Sequence, residues 1–244
     1  LILVLATGTT ETDTNRYTHA HHAALPSCLR RRRRDFTEWH LGRAHYVLWA
    51  LDVDCAPVRE RVLAAQRCLD GLLLAGYRRQ PHITLSLCGF PSPAPGRIDE
   101  FGAAALDAQV DALRRARPQP FDLEISALSS FASAPFLSVH DGSGHIGRLR
   151  ACLARHDLGH PEGDYLPHVT VGLYADAWPA DDVHPRLNGF APDATLRLRI
   201  DGVSLFSYAA ADVGGPLTRR AHYDFASARL HWQNEGLFPQ DALK

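Results

Sequence analysis

Two kinds of hydrophobic spacing alternate along the chain. Strands are predicted where apolar and polar residues alternate or where β-branched and aromatic residues are concentrated. These stretches are residues 45–53, 81–90, 121–128, 136–140, 167–174, 196–200 and 223–225. Apolar residues at helical spacing predict helices around Val58, Val62, Leu69 and Leu72, around Leu106, Val110 and Leu113, and around Ile146, Leu149 and Leu153. A strand, helix, strand order therefore occurs twice.

Turn and cap residues place the ends of these elements. Asp54 followed by Pro57 predicts the cap and first turn of the first helix, and Pro118 predicts the end of the second. Residues 179–190 are mostly polar and are predicted to be a connector.

The beginning of the chain has a different pattern. Residues 1–43 combine few apolar positions with a cluster of His19, His21 and His22 and an arginine run at residues 30–34. We predict a partly irregular, basic appendage over 1–43 and the folded domain over 44–244. Residues 1–6 are apolar and predict a strand, because the stretch is too short for a membrane span and lacks the basic region and cleavage site of a signal peptide.

Composition narrows the class of protein. The chain has 244 residues, 45% of them hydrophobic, and a formal net charge of -1. This excludes a disordered or collagen-like chain and argues against coating nucleic acid or a membrane through bulk charge. The five cysteines are scattered without a C-x-x-C pair, so neither a disulfide framework nor a thiolate zinc site is indicated and a cytoplasmic location is expected.

One seven-residue pattern occurs twice. Residues 81–87 read Pro-His-Ile-Thr-Leu-Ser-Leu, and residues 167–173 read Pro-His-Val-Thr-Val-Gly-Leu, 86 positions later. Because side chains alternate along a strand, His82 and Thr84 share one face, and so do His168 and Thr170. The intervening apolar residues, Leu87 included, are predicted to face the core. If the two strand, helix, strand units form pseudo-symmetric lobes, the four polar groups converge across a groove.

Two imidazoles and two hydroxyls suit the cleavage of a phosphodiester. One neutral histidine can remove a proton from the attacking oxygen, and the other, as imidazolium, can protonate the leaving oxygen. The threonine hydroxyls can donate to the phosphate oxygens on which charge develops. A single H-x-T on a strand would be ordinary, since threonine favours strands. The repetition, with a proline before each copy and the same apolar pattern, favours a site.

These two motifs resemble the signature of the two-histidine phosphoesterase superfamily, in particular its 2'-5' RNA ligase or LigT-like branch. The resemblance extends over about residues 44–225. It implies an α+β, bilobal fold with two antiparallel sheets and flanking helices around a pseudo-twofold cleft. It also implies metal-independent chemistry on 2',3'-cyclic phosphates or 2'-5' linkages, with His168 activating water and His82 protonating the leaving oxygen.

One segment departs from the family pattern. Many relatives carry an arginine shortly after the second motif, where this chain has Gly172, Leu173 and Tyr174. Tyr174 could stack on a base or simply end a strand. Phe131, in the turn between two predicted strands, could likewise contact a base or pack in the core.

Several functions are compatible with the sequence. The expected activity is that of an RNA 2',3'-cyclic phosphodiesterase, with RNA termini or a small cyclic nucleotide as substrate. The alternatives are a phosphodiesterase for cyclic oligonucleotides or ADP-ribose cyclic phosphate, and a non-catalytic nucleotide-binding module. We expect a monomer without a cofactor or membrane association. No metal is expected, since the three N-terminal histidines lack acidic or cysteine partners at ligand spacing. The arginine run could contact an RNA backbone or be a solvated charge cluster.

Overall fold

A computed structural model describes residues 27–28, 30–32, 34–154, 165–192, 194–233 and 237–238. The strands are β1 (His45–Asp52), β2 (His82–Pro91), β3 (Glu100–Phe101), β4 (Phe121–Ser130), β5 (Pro135–His140), β6 (His168–Thr170), β7 (Leu196–Ile200), β8 (Gly202–Ala209), β9 (Thr218–Asp224) and β10 (Arg229–Trp232). The helices are α1 (Thr37–His40), α2 (Ala56–Cys68), α3 (Ala103–Ala116), α4 (His145–Leu153) and α5 (Ala180–Gly189).

The strands form two sheets, one in each lobe. The first has the order β10-β9-β8-β1-β2-β3, and only the short contact between β2 and β3 is parallel. The second has the order β6-β5-β4-β7 and is antiparallel throughout. The fold is therefore α+β with two antiparallel-rich sheets and few helices, as expected.

The two lobes repeat one unit at the place where the motifs lie. In the first, β1 leads through α2 to its antiparallel neighbour β2; in the second, β5 leads through α4 to its antiparallel neighbour β6. Strand β6 is the edge of its sheet, and β2 is paired on its outer side only at Phe90 and Pro91. The motif-bearing parts of β2 and β6 lie next to each other where the sheets meet.

The main core runs through both lobes and joins them. Side chains from β1, from the helices α2, α3 and α4, and from the motif strands β2 and β6 form one continuous buried cluster. Inside it, the indole of Trp49 donates a 2.8 Å hydrogen bond to Oε1 of Gln109, whose Nε2 donates to the Leu153 carbonyl. Buried polar groups are tolerated when they are satisfied in this way.

A second, smaller cluster covers the opposite face of the first sheet. It contains Tyr46, Phe90, Phe206 and Tyr208, and it also includes Leu87. Leu87 is buried as predicted, but it lies on the opposite face of the sheet from Ile83 and Leu85 because β2 bulges: Trp49 pairs with Ser86, whereas Ala50 pairs with Thr84. The extra residue in β2 reverses the alternation beyond the motif.

Two local predictions also require correction. Residues 179–190 are not a connector, since Ala180–Gly189 forms α5, which buries Val183 and Leu187 and has Pro185 inside it. The N-cap position of α2 is Cys55, not Asp54, and no side chain caps it, although Pro57 lies in its first turn as predicted. Asp54 instead pairs with Arg59 at 2.5 Å.

Part of the N-terminal segment packs on the folded body. The Cys28 amide donates to the Trp178 carbonyl, the Arg31 amide donates to the Tyr174 carbonyl, and Phe36 is buried. The strand predicted at residues 1–6 and the histidines at 19, 21 and 22 lie outside the described residues. The domain boundary at residue 44 stays a prediction.

Candidate active site

Each motif occupies the same position in its own lobe. On β2, His82 lies opposite Asp52 and Thr84 lies opposite Ala50 of β1. On β6, His168 lies opposite Ser138 and Thr170 lies opposite Phe136 of β5. Residues two apart on a strand face the same side, so each imidazole shares a face with its threonine.

The two imidazoles are oriented by the same local hydrogen bond. Nδ1 of His82 lies 2.7 Å from the carbonyl oxygen of Gln80, and Nδ1 of His168 lies 2.8 Å from that of Leu166. Because a carbonyl can only accept, Nδ1 carries the proton and donates in both rings. In the neutral state, Nε2 then has the lone pair. Each ring is set to accept or donate a proton at Nε2.

Both rings are enclosed. His82 is 5% exposed and His168 is 6% exposed. The pKa of His82 is lowered to about 3, mainly by burial and to a smaller extent by the positive charges of Arg79 and His168, whereas the hydrogen bond to Gln80 opposes the shift. The effect of His168 on the pKa of His82 is consistent with the contact between β2 and β6 where the sheets meet.

Aromatic rings form one wall around His168. The Phe131 ring meets the imidazole edge-on with centroids 4.9 Å apart, and Phe136 lies 5.4 Å away. The two threonines differ in exposure: Thr84 of the first motif is buried, whereas Thr170 of the second is partly exposed. The first half of the site is thus more enclosed than the second.

Two side chains of the second lobe hold the backbone of the first motif. The Tyr165 hydroxyl donates a 2.6 Å hydrogen bond to the carbonyl of Thr84, and Nη1 of Arg150 donates to that of Leu85. The Arg150 guanidinium lies 3.8 Å from the centre of the Tyr165 ring. We call Tyr165 and Arg150 the cross-lobe bridge. They satisfy β2 carbonyls that have no strand partner on that side.

A second set of contacts fixes the segment before His82. The Arg78 amide donates to the Gly214 carbonyl, and Nε of Arg79 donates to that of Gly215. The Gln80 side chain accepts from the Leu217 amide and donates to its carbonyl. The backbone that orients the first imidazole is therefore attached to the loop between β8 and β9.

Comparison with known proteins agrees with this geometry. The family model described as the 2'-5' RNA ligase superfamily matches residues 56–212, a range that includes both motifs. The chain belongs to this superfamily. No curated protein is significantly similar to the chain.

Several solved structures are similar to this chain at low sequence identity. E. coli LigT complexed with 3'-AMP is 16% identical, covers 74% of this chain and 98% of its own, and has a TM-score of 0.48. TT0787 of Thermus thermophilus is also 16% identical, covers 74% of this chain and 97% of its own, and has a TM-score of 0.47. A structure described as a phosphoesterase is 15% identical, covers 74% of this chain and 98% of its own, and has a TM-score of 0.45.

The two aromatic candidates occupy structural positions in this member of the superfamily. Tyr174 is 0% exposed, and its hydroxyl forms a 2.6 Å hydrogen bond with Oγ of Ser130. A ring without exposed surface cannot stack on a base, so packing replaces the predicted binding role. Phe131 is also buried, but it contacts the His168 ring and acts on the site by packing.

The structure adds two residues that the motif analysis did not single out. Arg79 and Tyr165 each lie three residues before a motif histidine, at equivalent positions of the two copies. Comparing the two copies further upstream would have placed them side by side. Their different chemistry, a cation and a phenol, hides the equivalence in the sequence.

Within the described residues, no group of three or more histidine, cysteine or acidic side chains is arranged to hold a metal ion. In that part of the chain no helix is both long and apolar enough to cross a membrane.

Proposed function

We propose that this member of the 2'-5' RNA ligase superfamily is a metal-independent phosphodiesterase for 2',3'-cyclic phosphate RNA ends or 2'-5' linkages. The observation that supports it is the matched pair of imidazoles. In each, Nδ1 donates to the carbonyl two residues earlier, which leaves Nε2 for proton transfer, and a threonine follows on the same face. A monomeric, cytoplasmic protein stays a prediction.

The proposed reaction opens the cyclic phosphate with water. Nε2 of His168 accepts a proton as the water oxygen forms a bond to phosphorus. The bond from phosphorus to the 3'-oxygen breaks, and Nε2 of His82 donates its proton to that oxygen. The product carries a 2'-phosphate and a free 3'-hydroxyl. The Thr84 and Thr170 hydroxyls donate to the non-bridging oxygens, whose charge grows in the transition state.

The acid role requires His82 to be protonated when substrate is bound. Burial lowers the pKa of His82 in the unliganded protein, so the neutral form predominates there at neutral pH. A phosphodiester anion beside the ring stabilises the imidazolium and raises that pKa again. Substrate binding and protonation of His82 are then coupled, and turnover should depend on pH in a bell-shaped manner.

Product analysis with a panel of substrates tests the proposal. The panel contains nucleoside 2',3'-cyclic phosphates, a 2'-5' linked dinucleotide, a cyclic oligonucleotide and ADP-ribose cyclic phosphate, each assayed with and without EDTA. We expect a 2'-phosphate product and activity that survives chelation. Complete loss with EDTA that one divalent ion restores would contradict the two-histidine mechanism, and binding without turnover of any substrate would favour the non-catalytic module.

Histidine variants test the acid and base directly. His82→Ala and His168→Ala should each lower turnover by about 10²- to 10⁴-fold. His140→Ala is the matched control, because His140 is an exposed histidine on β5 without a following threonine. Near-normal turnover of either motif variant would show that the substituted histidine is neither the acid nor the base.

An activated leaving group separates the two roles. A nitrophenyl ester needs little protonation of its leaving oxygen, so it should restore turnover in the variant that lacks the acid. We expect rescue of His82→Ala and none of His168→Ala. The opposite pattern would exchange the two roles.

A further inference from the structure

Arg79 is a buried cation beside the first motif. The residue is 8% exposed, its Nε donates a 3.1 Å hydrogen bond to the Gly215 carbonyl, and its guanidinium lies 4.2 Å from the centre of the Tyr208 ring. Its Nη2 is buried and has no hydrogen-bond partner among the described residues. Nor does any carboxylate in that part of the chain form an ion pair with Arg79.

An arrangement of this kind is unfavourable without a ligand. A guanidinium stays charged at any pH that a protein survives, and a buried charged donor without an acceptor costs free energy. The ring of Tyr208, its side-chain hydrogen bond with Arg79 and the Gly215 carbonyl explain why the guanidinium is held in place. They do not satisfy Nη2.

Other arginines with a partnerless buried nitrogen differ from Arg79. Arg43 forms a 2.7 Å ion pair with Asp99, which neutralises its charge. Arg61 is only partly buried and donates to the Ala194 carbonyl. Among the described arginines with such a nitrogen, Arg79 alone combines deep burial with the absence of an acid.

The position of Arg79 connects it to the reaction site. It lies three residues before His82, and the intervening Gln80 provides the carbonyl that orients that imidazole. Gln80 is itself attached to Leu217 by two hydrogen bonds, and Arg79 to Gly215 by one, so both belong to the same anchored segment. The charge of Arg79 is close enough to lower the pKa of His82.

We propose that Arg79 is an anion-binding residue of the active site, and that its Nη2 donates to a non-bridging oxygen of the phosphate group on which His82 acts. This inference rests on the proposed function, since it assigns the phosphate of that reaction as the ligand. Arginine suits the role because its planar guanidinium donates to phosphate oxygens while the rest of the group remains stacked and bonded.

Binding of inorganic phosphate provides a test that does not require turnover. Phosphate affinity is measured by titration with nuclear magnetic resonance detection of the histidine rings, and folding is checked by circular dichroism and thermal unfolding. Arg79→Gln should weaken phosphate binding about 10- to 100-fold, the range expected for one hydrogen bond to a charged group. Arg79→Lys keeps the charge and should lose less.

An arginine away from the site supplies the matched control. Arg114→Gln removes an exposed guanidinium on α3 that pairs with Asp111, and it should leave phosphate affinity unchanged. If Arg79→Gln does not fold, the wild-type protein still decides the question. Phosphate should then shift the Nε–H resonance of Arg79, which is assigned by its absence in Arg79→Lys.

The outcomes separate this inference from the proposed function. Wild-type phosphate affinity in Arg79→Gln, or an Nε–H resonance that phosphate does not move, would overturn the role of Arg79 even if the protein hydrolyses cyclic phosphates. Lost phosphate binding in a folded Arg79→Gln supports the role even if none of the substrate panel is cleaved. In that second case the proposed catalytic function fails, whereas the anion-binding role of Arg79 stands.

Discussion

Removing one hydroxyl should weaken the connection between the two halves of the site. Tyr165 precedes the second motif, and its hydroxyl donates to the Thr84 carbonyl in the first. Tyr165→Phe deletes this hydrogen bond but keeps the ring on which the Arg150 guanidinium lies. The change therefore tests the hydrogen bond of the cross-lobe bridge without removing its packing.

The expected size follows from the geometry. A single neutral hydrogen bond contributes about 0.5–1.5 kcal/mol to the free energy of unfolding. In a domain of this size, a loss of that order lowers Tm by about 2–4 °C. The distance between the two imidazoles depends in part on this bond, and small displacements of reacting groups are costly. We expect kcat to fall by about 3- to 10-fold with little change in KM.

Tyr223→Phe is the matched control. The Tyr223 hydroxyl is buried and has no hydrogen-bond partner among the described residues, so the same chemical change should there raise the free energy of unfolding or leave it unaltered. Urea unfolding and steady-state kinetics on one cyclic phosphate measure both effects. The reasoning is refuted if Tyr165→Phe matches the wild type in stability and kcat, or if Tyr223→Phe loses as much as Tyr165→Phe.

Two further predictions concern the motif residues. Thr84→Val and Thr170→Val keep the branched shape but remove a donor, and each should lower turnover by about 2- to 13-fold; wild-type kinetics in both would exclude donation to phosphate. Burial lowers the pKa of His82 to about 3, whereas an unfolded histidine titrates near about 6.5. The unfolded state then binds the extra proton, so the free energy of unfolding should decrease as the pH falls below about 6.5. His82→Gln should flatten that decrease in urea unfolding experiments, and an unchanged slope would contradict the shift.

The sequence predicted those elements that the local spacing of apolar residues determines. The motif strands, the two strand, helix, strand units and the three amphipathic helices follow from the spacing of apolar residues, which burial of one face enforces. The pairing of strands into two sheets depends on contacts between distant segments, and no short pattern encoded it. The bulge that turns Leu87 to the other face is equally invisible, since it depends on the register with β1.

The errors have physical explanations. The helix α5 was overlooked because most of its residues are polar and Pro185 lies within it, yet Val183 and Leu187 suffice to bury one side. Tyr174 was a candidate for stacking because an aromatic residue at the end of a strand looks the same whether it faces a cleft or the core. Its hydrogen bond to Ser130 connects residues 44 positions apart. Spacing along the chain contains no information about such a contact.

Each imidazole is oriented by the backbone just before its own strand, so each lobe orients its own histidine. The carbonyl that fixes the His82 ring comes from Gln80, and the one that fixes the His168 ring comes from Leu166. The orientation of each ring thus depends on the backbone next to its own motif. The distance between the rings depends on the contacts that join the lobes. Under the proposed function, substitutions at the junction would change which phosphate esters fit between the rings while both imidazoles keep their orientation. A new substrate would then arise by respacing two intact half-sites instead of rebuilding either one.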